Sequence, residues 1–144
     1  MSRCLRKNST RGKGDGVRLL LDTHTLLWWF SDDPSLPASC RKLIAQPDSS
    51  VFVSAVSAWE IATKFRLGRL ASASELVRDF GGYLDRDRFL NLPISFEQGV
   101  RAGSLPGPLQ DPFDRMLIAQ AEMEKMFIVS NEKIFDQYGA RRIW

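Results

Sequence analysis

Five carboxylates stand in this chain at places where an acid can do chemistry. Asp22 ends the apolar run VRLLL, Glu60 lies in SAWEI, Asp111 and Asp114 share DPFDR, and Glu132 follows in VSNEKIF. Acids brought to one point repel each other, and a divalent cation relieves the repulsion. With no cysteine beside them and no paired histidines, the donor set is oxygen alone, which favours the hard ions Mg²⁺ or Mn²⁺ over zinc. Such an ion activates water and neutralises charge on phosphorus oxygens, so the chemistry the set suits is phosphodiester hydrolysis, with one ion or two.

Each acid also has a plain structural reading. Asp22 can cap the helix that follows it, and Glu60 can pair with Lys64 four residues on. Asp111 can be an N-cap, with Asp114 as the acidic third residue that such a cap favours. Topology argues that they do more. Asp22 ends a strand, Glu60 lies in the helix after the next strand, Asp111 and Asp114 begin the helix before a third, and Glu132 follows that third strand. Right-handed crossovers bring such strand ends to one edge of a sheet, where ligand chemistry collects in open parallel sheets.

The elements that must position these acids are legible in order. Val17–Leu21 lacks polar alternation and reads as a strand covered on both faces. Thr23–Phe30 reads as a helix, 31–37 as a turn-rich break and 39–46 as a second short helix. Val51–Val53 reads as a strand whose successor, Ser54, caps a helix that Gly68 stops. One further helix is expected over Ala73–Arg86, and a short extended segment over 89–94, where Pro93 demands an edge position or a strand that ends before it. Ser95 caps a helix to about Ala102. GSLPGPLQ is a loop, and Asp111 with Pro112 opens a long helix. Met126–Val129 is a strand, Asn131–Tyr138 a last helix stopped by Gly139, and RRIW a closing strand. Strands alternating with helices predict a three-layer α/β/α domain around a mostly parallel sheet.

Length and composition bound the answer. At 144 residues the chain suits one catalytic domain, and no apolar run approaches the roughly 20 residues of a membrane span. Charge is uneven: Arg3, Arg6, Lys7, Arg11 and Lys13 against Asp15 give the first 17 residues +4, so a total of +3 leaves the body at −1. Residues 1–17 therefore read as a disordered basic extension and 18–144 as the domain. A near-neutral body is not a basic nucleic-acid platform, although the tail can add salt-sensitive phosphate affinity. Cys4 and Cys40 form neither a disulfide framework nor a zinc spacing, and the start carries no secretory signal, which suits a reducing cytoplasm.

Taken together, LLLDTHTLLWW, SAVSAWEIATKFRLGRL, DPFDRMLIAQA and VSNEKIFDQYGARRIW resemble a PIN-domain protein, specifically a VapC-type ribonuclease toxin. The resemblance spans about Arg18–Trp144, and its weight lies in four segments occurring in family order and spacing. It implies a compact α/β domain that cuts RNA with Mg²⁺ or Mn²⁺, works as a homodimer and is silenced by a cognate VapB-like antitoxin. By motif, Asp22, Glu60 and Asp114 match the three catalytic, metal-holding acids, and Asp111 is the additional acid of the DPFDR variant. Thr23 and Ser54 match small hydroxyl positions near the metal, while Lys64 and Arg115 are candidates for phosphate contact, as, less directly, are Arg66 and Arg69.

Two departures bear on activity. The family's fourth acid is usually aspartate in T-x-D, and Ser130-Asn131-Glu132 aligns there, which puts direct contact between Glu132 and a metal in question. Leu109-Gln110 replaces the usual His-Arg before DPFDR, removing a cation and a histidine from the rim. These departures keep open an alternative, a catalytically weak or inactive PIN-like module that binds RNA or protein. A haloacid-dehalogenase-type phosphatase is a third reading, since DTHT resembles the start of its nucleophile loop, but that loop needs a second aspartate where His24 stands. His24 is itself a candidate contact to RNA or a metal-bound water. Trp28, Trp29 and Trp59 read as core or dimer-contact residues rather than base-stacking platforms.

Overall fold

A computed structural model describes residues 16–144, so the expectation of a disordered basic tail falls largely outside the described residues. Five strands, β1 (Arg18–Leu21), β2 (Ser50–Ser54), β3 (Leu90–Leu92), β4 (Phe127–Val129) and β5 (Arg142–Ile143), form one sheet in the order β3-β2-β1-β4-β5. All four pairings are parallel. Seven α-helices cover it: α1 (Thr23–Phe30), α2 (Ala38–Ala45), α3 (Ala55–Arg66), α4 (Ser74–Arg78), α5 (Phe80–Arg86), α6 (Phe96–Ser104) and α7 (Pro112–Met123).

The central position of β1 follows from its sequence. Leu19, Leu20 and Leu21 are completely buried, and alternation sends Leu19 and Leu21 to one face and Leu20 to the other. The first face packs against Leu26 of α1, Cys40 and Ile44 of α2, Leu76 of α4 and Leu84 of α5. On the second, Leu20 meets Leu117, Ile118 and Ala121 of α7 together with Phe135. Two apolar layers on either side of a parallel sheet are the three-layer α/β/α arrangement. Val56 contributes to the second layer and Ile61 to the first, so α3 bridges the two.

Register aligns the strand ends. Leu21 pairs with Val53 on one side and Val129 on the other, so Asp22, Ser54 and Ser130 stand together at the sheet's carboxyl edge. The chain lays β2 and then β3 to one side of β1, and later β4 and β5 to the other. The crevice between β1 and β4 is therefore where strand order reverses, the usual ligand position in an open parallel sheet.

Three expected boundaries differ. The single helix over Ala73–Arg86 is two helices broken at Asp79, whose backbone leaves the helical region (φ −140, ψ 56) and whose carboxylate accepts the Gly82 N–H at 3.2 Å. A short acid beside Gly81 and Gly82 offers the backbone a competing hydrogen bond where helix propensity is weakest. The last helix is a 3-10 turn over Lys133–Tyr138, closed by Gly139 at φ +75, where only glycine is unstrained. α6 runs to Ser104 rather than to Ala102, started by a full capping box between Ser95 and Gln98.

The burial of β1 predicts its sensitivity. Leu20→Ala removes a side chain with no exposed surface from between two layers, and urea unfolding should register a loss of about 3 kcal/mol. A loss below about 1 kcal/mol would mean that the layers close over the gap.

Candidate active site

Asp22 reaches the carboxyl edge as the residue after β1 and, as expected, caps α1. Its Oδ1 accepts the Thr25 N–H at 2.8 Å, and its side chain is buried. Among the described residues nothing is bonded to Oδ2, so the cap leaves one oxygen of this carboxylate unused. Asp111 repeats the pattern at the head of α7. Its Oδ1 accepts from Phe113 at 2.8 Å and from Asp114 at 3.2 Å, and Oδ2 has no partner among the described residues.

Glu60 is held from two sides. Thr23 Oγ1 donates to Oε1 at 2.7 Å, and Lys64 Nζ to Oε2 at 2.6 Å. The i to i+4 ion pair foreseen for Glu60 and Lys64 thus exists, yet the carboxylate is buried and turned inward rather than laid on the surface. Glu132 follows β4 by three residues, and its backbone N–H donates to the buried Ser130 Oγ at 2.9 Å, which fixes the turn that presents it.

These groups line one cavity of about 220 Å³, bounded by Asp22, Thr23, His24, Glu60, Lys64, Asp111, Asp114 and Glu132. Among the described residues Lys64 is its one lysine or arginine, against five acids. The imbalance is felt at Asp114, whose pKa is raised to about 7, first by burial and then by the charges of Asp111, Glu60, Asp22 and Glu132. Four separate acids therefore act on the fifth.

Among the described residues no three acid, histidine or cysteine groups meet as a ready-made metal site; the carboxylates ring the cavity instead. The donor chemistry nevertheless fits a hard divalent ion. Five carboxylates dominate it, with His24 the one imidazole on the lining and little positive charge, and it carries carboxylate oxygens with no hydrogen-bond partner among the described residues. Larger cavities lie elsewhere. One of about 540 Å³ shares His24 as a wall but is bounded mainly by Leu27, Trp28, Leu70, Leu76 and Tyr83, with no cluster of acids.

The remaining candidates divide. Thr23 lines the cavity, whereas Ser54 is buried behind it and spends its Oγ capping the Val56 N–H at 3.0 Å. Arg115 is not part of the lining. Its guanidinium donates to the carbonyls of Ala102 at 2.9 Å, Leu109 at 2.6 Å and Leu105, clamping the loop that leads into Asp111. Tyr138 holds the same loop by accepting the Leu109 N–H at 2.8 Å. Leu109 therefore serves as backbone in the support of α7, while its apolar side chain joins the second layer. His24 is exposed on the rim and stacks on Trp28 at 5.7 Å. Trp28 and Trp29 are half-buried, but Trp59 is 58% exposed and meets Phe113 edge-on, so it is not a core residue of this chain.

Sequence reasoning gave no role to Ser57, which is fully buried with its Oγ 3.1 Å from Thr23 Oγ1. The available signal was its spacing, three residues before Glu60 on one helix face.

The PIN domain family matches residues 19–141 of the chain. No curated protein matches. Among solved structures, VapBC2 from Rickettsia felis, described as bound to a DNA fragment from their promoter, superposes with a TM-score of 0.64 at 16% identity, covering 88% of this chain and 98% of that one. FitAB, described as bound to an IR36 DNA fragment, gives 0.51 at 17% identity, covering 87% and 93%. Both likenesses are of fold.

The charge on Asp114 has a consequence for stability. An acid whose pKa rises on folding contributes stability that is complete below the unfolded value, 3.8, and is lost as pH rises through about 7. Partial exposure screens much of the penalty, which leaves about 1 to 2 kcal/mol above pH 7. Asp114→Asn should therefore stabilise the chelator-treated protein by that amount at pH 8, with the gain vanishing near pH 4. Urea titrations at the two pH values measure it, and equal stabilities at pH 8 would refute the charge crowding.

Proposed function

The chain belongs to the PIN-domain family, and on that premise we propose that it is a Mg²⁺- or Mn²⁺-dependent endoribonuclease toxin of the VapC type. The observation that carries this reading is the convergence of Asp22, Glu60, Asp111, Asp114 and Glu132 on one small cavity at the switch point of a parallel sheet.

In this reading Asp22, Glu60 and Asp114 are the catalytic acids, and Asp111 and Glu132 complete the set that would hold the ion. A bound divalent ion would supply water activation and neutralise charge on the scissile phosphate. The chain's own groups do the rest. Thr23 donates to Glu60 and keeps one of its oxygens oriented. Lys64, already ion-paired at the cavity wall, offers a cation to a phosphate oxygen at the cost of its bond to Glu60. Near neutral pH Asp114 keeps its proton part of the time, which lowers the repulsion until a cation replaces it. Arg115 and Ser54 support the site through the Asp111 loop and the start of α3.

The antitoxin partnership comes to this chain from its family resemblance and from its fold neighbours, VapBC2 on promoter DNA and FitAB on a DNA fragment. We place the toxin in the cytoplasm as a homodimer under that antitoxin. Among the described residues no helix is long and apolar enough to cross a membrane.

The test uses purified full-length protein, structured RNA and Mg²⁺ or Mn²⁺. Cleavage should appear with metal, stop with chelator, and fall to the no-enzyme background when Asp22→Asn and Asp114→Asn are combined. Cutting that survives the double substitution rejects the assignment. Retention of RNA without metal-dependent cutting selects the inactive binding module instead.

A further inference from the structure

Glu60 Oε1 is held by a single hydroxyl, Thr23 Oγ1, and that hydroxyl has its own buried neighbour. Thr23 has one proton to give. A carboxylate paired with Lys64 accepts only, so the 2.7 Å bond to Glu60 uses that proton. The 3.1 Å contact between Thr23 Oγ1 and Ser57 Oγ must then run the other way, with Ser57 donating to a Thr23 lone pair. Ser57 has no exposed surface, and Thr23 is the side-chain partner it has among the described residues. Were Ser57 absent, Thr23 Oγ1 would lose the donor to its lone pair, and with it the second contact that fixes the hydroxyl between α1 and α3.

We propose that Ser57 is a positioning residue for the metal-holding site. It fixes the Thr23 hydroxyl so that its proton always faces Glu60, and through Thr23 it aims the Glu60 carboxylate into the acidic cavity. The relay Ser57 to Thr23 to Glu60 ties the start of α1 to the first two turns of α3, the helices that carry two of the proposed ligands. Partners in this outer position hold a ligand's orientation, and their loss commonly costs 10- to 100-fold in metal affinity. The inference rests on the metal reading of the site and adds to it a residue that touches neither ion nor substrate.

The test is a double-substitution cycle read by Mn²⁺ affinity in the full-length protein, with thermal unfolding of the chelated protein recorded beside it. Ser57→Ala should weaken Mn²⁺ binding about tenfold. Thr23→Val should weaken it at least as much, and the two together no more than Thr23→Val alone, because Ser57 acts only through Thr23. Thr23→Ser, which keeps the hydroxyl, should retain affinity close to the original even if its melting temperature drops. The proposal is overturned if Ser57→Ala lowers the melting temperature while Mn²⁺ affinity stays at the wild-type value, or if the two losses multiply. Failure of the wild-type protein itself to bind Mn²⁺ is a separate result, which removes the metal reading and this residue's role with it.

Discussion

Mutual repulsion among acids is the constraint around which this molecule is organised. Five carboxylates line a cavity of about 220 Å³ with, among the described residues, one lysine, and burial together with their charges raises the pKa of Asp114 to about 7. A fold that keeps such a cluster must hold each acid against its own tendency to swing outward. It does so with bonds that leave part of each carboxylate unused. Asp22 and Asp111 spend one oxygen on helix capping, and Glu60 is pinned between a hydroxyl and an ammonium.

The sheet makes those restraints possible. Parallel strands in register deliver Asp22, Ser54 and Ser130 to one edge, and each begins a different piece of the wall. Ser54 starts the helix of Glu60, and Ser130 shapes the turn of Glu132. The fourth piece, α7, arrives from the far side and needs more support. Gln120 Nε2 bonds Gln98 Oε1 at 3.0 Å and the Pro93 carbonyl at 3.2 Å, and Gln98 Nε2 bonds Glu124 at 2.8 Å, locking α6 to α7. Arg115 and Tyr138 then clamp the loop before Asp111. These groups lie outside the cavity lining, yet they set where Asp111 and Asp114 stand.

Much of this was readable from residue types. The leucine run of β1, the caps at Asp22, Ser54, Ser95 and Asp111, and the Gly68 and Gly139 stops each follow from local chemistry that tertiary contacts do not override. The acids were found because they sit at strand ends and helix starts, positions fixed by the same local rules. What escaped depends on partners far away in sequence. Arg115, next to Asp114, looked like a phosphate contact, but its guanidinium meets the carbonyls of a loop that no pattern places beside it. Ser57 is one of many serines until Thr23, 34 residues earlier, is brought within 3.1 Å. The break at Asp79 was hidden because Leu76 and Leu84 keep helical spacing across it.

The proposed chemistry requires that the acids act together on one cation. Anomalous diffraction from a crystal soaked in Mn²⁺ measures that directly. A peak inside the cavity, within coordination distance of Asp22, Glu60 and Asp114, is the predicted result. Strong anomalous signal elsewhere on the surface, with that cavity holding water alone, would contradict it.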